Sequence, residues 1–379
     1  MATHAWPHAH NLSLTLWQAQ ATQIPMIYDI IATLGPATPA PADALSLLQN
    51  GATRFRLNTS HLSVEETMTW IKQLPHGVGQ TGLMNGPPEV VLDLQGSKWR
   101  LGVFEARVLA LGDTVVLWDC GLADTSGAAA NARVVPASSA GAAVHRLPVP
   151  HSDFFRAAAN CPGTVRLNDG RVELQIECSD ADTVWCRVIT QGEVGPRKGI
   201  SLPGSAFRRE GLSEKDQDIV RRSALIPHVS YALSYVRDAE ELRVLKHAVD
   251  AVDEMGSVGG RVIIAKIERP EAVKDIGAIA QECDELWICR GDLGAELGPE
   301  AMAQTVHELT GKLRRLSSPT VLAGQVLEHM STHPEPTRSE VCHLYDALKA
   351  GYAGIVLSDE TAIGAHPAAA CRAAAMFRS

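Results

Sequence analysis

Short apolar runs recur along the chain at wide spacing, and each is followed by a polar or glycine-bearing turn and then by a helical pattern. This alternation predicts strands and helices in succession. Eight such runs occur: "YDIIAT" from Tyr28, "TRFRLN" from Thr53, "EVVLDL" from Glu89, "VSYALSYV" from Val229, "VIIAKIE" from Val262, "ELWICR" from Glu285, "TVLAGQ" from Thr320 and "GIVLSD" from Gly354. Eight β/α units without the glycine fingerprint of an open dinucleotide-binding sheet favour a closed (β/α)8 TIM barrel, an α/β fold whose active site lies at the carboxyl ends of the strands.

The third and fourth runs are separated by far more sequence than one helix needs. In that interval the pattern becomes typical of strands, in "TVVLW", in "TVRLNDGRVELQIE" with its Asn-Asp-Gly turn, and in "TVWCRVI". We therefore predict an N-terminal extension over 1–25, a barrel formed by 26–101 and 212–379, and an inserted all-β lid over 102–211. The alanine-rich stretch 126–144 is predicted to be a surface excursion of the lid. Ser213 and Asp216 in "GLSEKD" predict a helix cap where the barrel resumes.

The fifth run carries two charges in an otherwise apolar stretch, "VIIAKIERPEA". On a strand, Lys266 and Glu268 share one face, while Ile263, Ala265 and Ile267 share the other. A single Lys-x-Glu pair is more often a solvated face than a site. Polar residues that follow several of the predicted strands favour a site at the barrel mouth: Arg56, Asn58, Ser60, His61, Asp93, Lys98, Arg100, Arg290, Asp292, Ser358 and Glu360.

The chemistry of these residues suits an anionic substrate and a metal ion. Glu268 and Asp292 come from adjacent predicted strands, so their oxygens could bind one hard cation such as Mg²⁺ with water positions left open. "RGDLG" places glycines at a strand-to-helix turn, where backbone N–H groups and the helix dipole can hold a carboxylate or phosphate. With Lys266, Arg56 and Arg100 nearby, the set suits phosphoryl transfer, in which positioning and charge neutralisation provide most of the catalysis.

Composition narrows the class of partner. The chain has 379 residues, 45% hydrophobic and 20% charged, and a net charge of −9 without a Lys/Arg run, which disfavours nucleic acid and anionic membrane as partners. The eight cysteines are irregularly spaced without a CxxC pair, so we predict reduced core thiols in a cytoplasmic protein. Neither a signal peptide nor a membrane span is expected, and His4, His8 and His10 are predicted to lie on a solvated tail.

The chain resembles pyruvate kinase. The matching segments follow the family's order and spacing over nearly the whole sequence: "DIIATLGPAT", "RFRLNTSH", "LDLQGSKWRLG", "RKGISLPG", "LSEKD", "AKIERPEAV", "CRGDLGAELG", "PTRSEV" and "LSDETAIG". The resemblance implies a (β/α)8 barrel with a β-rich lid between the third strand and the third helix.

The resemblance also implies roles for individual residues. Glu268 and Asp292 would bind Mg²⁺ or Mn²⁺, while Lys266 would stabilise the phosphoryl group in flight and Arg56 would grip the phosphate. The amides around Gly291 and Asp292 would hold the carboxylate of an enolpyruvate or a 2-oxo acid. Asn58, Ser60 and Asp93 match the family's monovalent-cation pocket. The implied nucleotide-binding residues are Thr33, Pro36, Asn58, His61, Arg100, Asp169 and Lys198.

The sequence departs from the family at Lys98, in the motif written here as "GSKWR", where the family usually has glutamate. Members with lysine at this position resemble those that work without added K⁺, and an ammonium group can replace the charge of the ion. We therefore predict that K⁺ is not required.

A second departure lies on the seventh strand, where Gly324 in the substrate site replaces a threonine whose hydroxyl helps a proton reach the enolpyruvate carbon. In addition, Leu94 and Gln95 replace the family's threonine and lysine, and Asn168 replaces the first aspartate of the lid. The vacated space could admit a bulkier substrate, or it could mark lost activity. The matching segments do not include the family's C-terminal domain, so activation by sugar phosphates is not expected.

Three functions remain open. The first is a Mg²⁺-dependent phosphotransferase of the pyruvate kinase type, acting in glycolysis on phosphoenolpyruvate or a related enol phosphate with ADP or ATP. The second is a metal-enolate enzyme, a decarboxylase or lyase, which binds a 2-oxo acid and has lost phosphoryl transfer. The third is a non-catalytic ligand-binding relative. A homo-oligomer formed through the barrel is compatible with each.

Overall fold

The computed structural model describes residues 26–74, 88–121, 143–161, 163–168, 170–205, 212–252 and 261–378. The predicted extension 1–25, most of the alanine-rich stretch and Asp169 therefore lie outside the described residues. Across the described part of the chain, no helix is long and apolar enough to cross a membrane.

The first part of the chain forms the first three barrel strands and two helices. The elements are β1 (Asp29–Leu34), α1 (Pro41–Gln49), β2 (Arg54–Asn58), α2 (Val64–Gln73) and β3 (Val90–Leu94), with a 3₁₀ turn at Thr59–His61. Helix α2 begins with a capping box: the Ser63 hydroxyl accepts from the Glu66 amide at 3.2 Å, and the Glu66 carboxylate accepts from the Ser63 amide at 2.6 Å. These caps satisfy N–H groups that a helix start leaves without partners.

The lid follows β3. It contains β4 (Arg107–Leu109), β5 (Thr114–Asp119), β6 (Val144–Val149), α3 (Ser152–Ala159), β7 (Thr164–Leu167), β8 (Val172–Ser179), β9 (Thr183–Thr190), β10 (Gly192–Val194) and β11 (Ile200–Ser201). Six of the strands form one sheet in the order β11-β7-β8-β9-β5-β6, and β10 pairs with β4. The predicted turn between β7 and β8 has positive φ at Asn168 (51°) and Gly170 (80°), as a tight hairpin turn requires.

The lid is not made of strands alone, because helix α3 packs against its sheet. Phe154 and Phe155 of this helix are fully buried, and Phe154 meets Trp99 edge-to-face at 5.4 Å between ring centroids. The eight residues of α3 make barely two turns, which is too short for a 3.6-residue period to stand out from the surrounding strand pattern. The prediction of an all-β lid therefore missed this helix.

The barrel resumes after the lid with five strands and their helices. The elements are α4 (Glu214–Ser223), β12 (Val229–Leu233), α5 (Ala239–Asp250), β13 (Ile263–Ile267), α6 (Pro270–Lys274), α7 (Ile276–Gln281), β14 (Glu285–Cys289), α8 (Arg290–Leu297), α9 (Pro299–Thr310), β15 (Thr320–Ala323), α10 (Arg338–Ala350), β16 (Gly354–Leu357), α11 (Asp359–Ala362) and α12 (Pro367–Ala374), with 3₁₀ turns at Leu313–Arg315 and Glu328–Ser331. The predicted cap of α4 is confirmed, since the Ser213 hydroxyl accepts from the Asp216 amide at 3.1 Å.

Eight parallel strands close the barrel in the order β1-β16-β15-β14-β13-β12-β3-β2. These are the eight apolar runs of the sequence, so the predicted TIM barrel is confirmed. Strand β13 illustrates its two-sided burial. Ile263, Ala265 and Ile267 pack in the outer core between strands and helices, whereas Ile264 packs inside the barrel with Trp287. Because side chains alternate along a strand, Lys266 lies on the inner face with Ile264.

An ion-pair cluster closes the barrel at the end opposite the mouth. The Arg54 guanidinium donates to both carboxylate oxygens of Glu285, at 3.0 and 2.7 Å, and lies 3.1 Å from Asp29. The indole N–H of Trp287 donates to the same glutamate. Arg54 and Glu285 are both buried, so this cluster stabilises the barrel interior rather than contributing to a solvent-exposed site.

All eight cysteines are free thiols. Cys186, Cys283, Cys289 and Cys371 are buried, whereas Cys178 and Cys342 are exposed. The expectation that the cysteines are core residues is therefore wrong for these last two, because strand and helix surfaces also accept a small thiol.

Candidate active site

Lys266 is the centre of a buried polar cluster at the mouth, by which we mean the carboxyl ends of the barrel strands and the loops that follow them. Its ammonium lies 3.0 and 3.1 Å from the two carboxylate oxygens of Asp93, 2.7 Å from the Ser234 hydroxyl and 2.9 Å from Glu268. Burial alone would lower the pKa of Lys266, but the charges of Asp93 and Glu268 outweigh it and raise the pKa above its usual value. Lys266 is therefore a fixed positive charge and not a general base.

Arg56 lies on the other side of Asp93. Its guanidinium donates to Asp93 Oδ2 at 2.7 Å through Nε and to the Thr33 hydroxyl at 3.0 Å through Nη1. Burial raises the pKa of Asp93, but Lys266 and Arg56 together lower it below its usual value. One ionised carboxylate, that of Asp93, therefore orients both Lys266 and Arg56, the two cations predicted to bind the phosphoryl group of the substrate.

Glu268 and Asp292, the predicted metal ligands, meet at the mouth. Glu268 is 1% exposed, and its Oε2 accepts from the Tyr235 amide at 2.7 Å. Each of the two carboxyl groups also acts on the pKa of the other. Burial raises the pKa of Glu268, whereas the Lys98 ammonium outweighs burial at Asp292 and lowers its pKa. The two carboxyl groups therefore face the same pair of ammonium groups, Lys98 and Lys266, where a divalent ion could bind.

The donor set suits a hard cation. Both groups are carboxylates close enough to act on each other's pKa, and oxygen ligands are those that Mg²⁺ prefers. Within the described ranges, no group of three or more His, Cys, Asp or Glu residues could hold a metal. Glu268 and Asp292 are therefore the residues that would hold such an ion, and Mg²⁺ is usually bound through one or two carboxylates.

The predicted anion site lies at the start of α8, which follows β14 without an intervening loop. A Cβ atom on Gly291 would meet nothing within 4 Å, so there is free space on that side of the residue. Gly324 has φ of +84°, a conformation in which a side chain is strained. The Arg290 guanidinium turns towards β15 and donates to the Gly324 carbonyl at 2.9 Å through Nε. Arg290 therefore fixes the chain around Gly324.

Lys98, the predicted substitute for K⁺, contacts the metal-binding side of the mouth. Its ammonium pairs with Asp292, a predicted metal ligand, and lies 5.1 Å from the centroid of the Tyr235 ring. Asn58 and Ser60 are joined to each other, with the Asn58 side chain accepting from the Ser60 amide at 3.2 Å. Lys98 therefore brings a second ammonium to the two carboxylates at the mouth.

The predicted nucleotide residues gather only in part. His61 lies in a cationic region: loss of solvent around the ring, followed by repulsion from Arg100 and Lys198, lowers the pKa of His61 to about 4, although the residue keeps some solvent exposure. Arg100 Nη1 donates to the Arg197 carbonyl at 3.0 Å. Thr33 is bound to Arg56, and Pro36 lies in the turn after β1. Asn168 is turned into the lid, where its amide donates to the Glu193 carbonyl at 3.3 Å.

Four residues that the sequence analysis did not select belong to the mouth. Ser234 and Tyr235 follow β12, Ser201 lies in β11 of the lid, and Glu296 lies in α8. Ser234 also donates to Asp93 at 2.8 Å. The two residues after β12 could have been found by the rule applied to the other strands, because they too stand at a carboxyl end. Ser201 and Glu296 carry no such signal.

The fold and the mouth together define a class: (β/α)8 barrel proteins with a lid inserted after the third strand and a charged site at the carboxyl ends. A family model described as "Pyruvate kinase, barrel domain" matches residues 27–371. The chain therefore belongs to the pyruvate kinase family, and the resemblance noted in the sequence is confirmed.

Individual relatives agree with this membership. Pyruvate kinase 2 of Synechocystis sp. is 32% identical over 362 residues, which are 92% of this chain and 55% of that protein. Pyruvate kinases of Agrobacterium vitis and Mycobacterium tuberculosis are each 31% identical, over 89% and 90% of this chain and 66% and 67% of theirs. The chain spans less than two thirds of the length of the first two relatives.

Proposed function

We propose that the protein is a Mg²⁺-dependent phosphotransferase of the pyruvate kinase type, which moves a phosphoryl group between phosphoenolpyruvate, or a related enol phosphate, and ADP. The observation that carries this proposal is the convergence of Lys266, Glu268 and Asp292 within one cluster of charged groups at the mouth. The curated relatives named pyruvate kinase support the same reaction class.

Each charged group has a role in this reaction. Lys266 and Arg56, both held by Asp93, would neutralise the phosphoryl oxygens as charge moves between donor and acceptor. Glu268 and Asp292 would hold the divalent ion, which would supply further charge neutralisation. The amide at Gly291 and the positive end of α8 would orient the carboxylate of the substrate.

The lid side of the mouth would bind the nucleotide. His61, Arg100 and Lys198 influence one another electrostatically, and a cationic region of this kind suits the phosphates of ADP. We assign Thr33, Pro36, Asn58 and Asp169 to the same site from the family resemblance. Lys98 supports independence from K⁺, because its ammonium already provides a fixed positive charge beside Asp292.

The decisive assay follows pyruvate and ATP formation from phosphoenolpyruvate and ADP in the presence of Mg²⁺. We expect turnover that Lys266→Met abolishes, while the control Lys274→Met, at an exposed lysine of α6, retains it. Lys198→Ala should weaken ADP binding and leave oxalate binding intact, and equal loss of both would contradict the nucleotide assignment. Absence of turnover in the unaltered protein would refute the proposed reaction.

A metal-enolate enzyme is the second candidate, and Gly324 favours it. Glycine has no hydroxyl to help deliver a proton to the enolpyruvate carbon, and its φ of +84° disfavours any other residue at this place. Metal-dependent proton exchange at the C3 of pyruvate, followed by NMR without nucleotide, would support this candidate if phosphoryl transfer is absent.

A further inference from the structure

Tyr235 joins the metal-binding side of the mouth to the lid. The residue follows β12, is 2% exposed and has φ of 60°, an uncommon conformation for a bulky residue. This conformation turns its backbone N–H towards Glu268, which accepts the hydrogen bond at 2.7 Å. The backbone of Tyr235 therefore orients one of the two proposed metal ligands.

The hydroxyl of the same residue reaches the lid. It lies 3.2 Å from the Ser201 hydroxyl of β11 and donates to Glu296 of α8 at 3.2 Å. Ser201 also lies close enough to Glu296 to lower the pKa of its carboxyl group. All three side chains are buried. A closed polar triangle thus connects the lid, the loop after β12 and α8, and losing one member leaves the others less well satisfied.

A second contact attaches the lid to the same helix. Arg166 of β7 donates through Nη1 to the Ala295 carbonyl at 2.5 Å and to the Glu296 carbonyl at 3.3 Å. These carbonyls lie at the carboxyl end of α8, where a cation is favoured. Asp292 lies in the first turn of that helix. The lid therefore rests on the two structures that hold the proposed metal ligands, Tyr235 and α8.

We propose that Tyr235 is a positioning residue whose hydroxyl seats the lid on the barrel mouth through Ser201 and Glu296, while its amide fixes Glu268. Lid position and carboxylate geometry are then set by one residue. The expected effect of the lid on nucleotide binding rests on the proposed function. The contacts that hold the lid against the barrel mouth, which we call the seating of the lid, do not.

The seating can be measured without any ligand by hydrogen–deuterium exchange of the full chain. Tyr235→Phe removes the hydroxyl and keeps the ring and the amide. We expect faster exchange at residues 97–102, 197–205 and 294–298, where lid and barrel meet, and unchanged exchange in the lid sheet at 172–190. If exchange at the three segments stays as in the unaltered protein, or rises equally throughout the chain, the proposal is wrong.

Tyr231→Phe is the matched control. The Tyr231 hydroxyl is also buried and lies 2.8 Å from the hydroxyl of Ser223, but its side chain faces the outer helices and not the mouth. The same atom is lost, so a general effect of removing a buried hydroxyl would appear in both variants. Only Tyr235→Phe should alter the lid boundary.

A binding measurement then tests the consequence for the nucleotide. Loss of a buried hydrogen bond to a carboxylate should weaken Mg-ADP binding by about fivefold to 30-fold, with less than about a twofold change in Mn²⁺–oxalate binding, which uses the barrel alone. Ser201→Ala should produce a similar loss, and the double variant should lose less than the sum because the two act through one triangle. Additive losses would contradict the shared role. If the unaltered protein does not bind Mg-ADP, the proposed function fails. The hydrogen–deuterium exchange data alone then test whether Tyr235 holds the lid on the barrel mouth.

Discussion

The backbone nitrogen of Gly291 lies 3.2 Å from the place where a Cβ atom of Gly324 would stand. This is closer than nearly all Cβ contacts in proteins, and the nitrogen belongs to the proposed carboxylate site. The glycine therefore keeps that amide accessible, besides removing the hydroxyl of the family threonine.

Gly324→Ala should weaken oxalate binding in the presence of Mg²⁺, because the new methyl group crowds the Gly291 amide. It should also lower the free energy of unfolding by about 1–2 kcal/mol, the cost of a left-handed backbone for an L-residue. Gly112→Ala is the control: its φ of +85° is close to that of Gly324, but nothing lies within 4 Å of the new atom. Calorimetry and chemical denaturation should give equal stability losses and a binding loss for Gly324 only. Equal oxalate affinities in the two variants would contradict the crowding.

Lys98 provides a test of monovalent-ion dependence. The unaltered protein should turn over equally well with and without K⁺. In Lys98→Glu a third acid replaces the ammonium beside Asp292, so activity without K⁺ should fall by about 100-fold and should recover when K⁺ is added. Choline chloride at equal ionic strength is the control and should not restore it. Strong K⁺ activation of the unaltered protein would contradict the prediction.

His61 should be neutral at physiological pH. Desolvation of the ring and repulsion from Arg100 and Lys198 lower the pKa of His61 to about 4, although the residue as a whole is exposed. The neutral ring therefore makes a small, solvent-screened contribution to folding above about pH 6.5, which is lost as the pH falls towards 4. NMR titration should find this low pKa, with His61→Gln identifying the resonance. Bound ADP should raise the pKa, because phosphates offset the neighbouring cations. A pKa that does not respond to ADP would place the phosphates elsewhere.

Arg54 and Glu285 predict a stability effect remote from the mouth. Burial raises the pKa of Glu285 even with Arg54 in place, so Arg54→Met leaves an unpaired buried acid and should lower the free energy of unfolding by about 3–5 kcal/mol near neutral pH. Because the pKa of Glu285 is raised in the folded protein, this loss of stability grows as the pH rises above the pKa of Glu285 in the unfolded chain, and it shrinks in acid. Arg54→Met with Glu285→Gln should recover part of the loss. A pH-independent loss would contradict the uncompensated charge.

The sequence was sufficient for the barrel because each strand buries both faces and therefore appears as an apolar run. It was also sufficient to predict that Lys266, Glu268 and Asp292 lie close together, since parallel strands bring their carboxyl ends together. It was insufficient where contacts depend on how separate parts of the chain dock. Ser201 reaches Tyr235 across 34 positions and through a separate sheet, and the direction taken by the Lys98 side chain depends on α8, which lies 194 positions away at Asp292.

Helix α8 has eight residues and is about 12 Å long. Its first turn carries Asp292, and its last carbonyls bind Arg166 of the lid. Inserting or deleting one residue would rotate one end by about 100° relative to the other, so neither end could stay in register with its partner. Substitutions away from Gly291, Asp292 and Glu296 should be tolerated better than a change in the length of this helix, and engineered loop grafts should leave the segment intact.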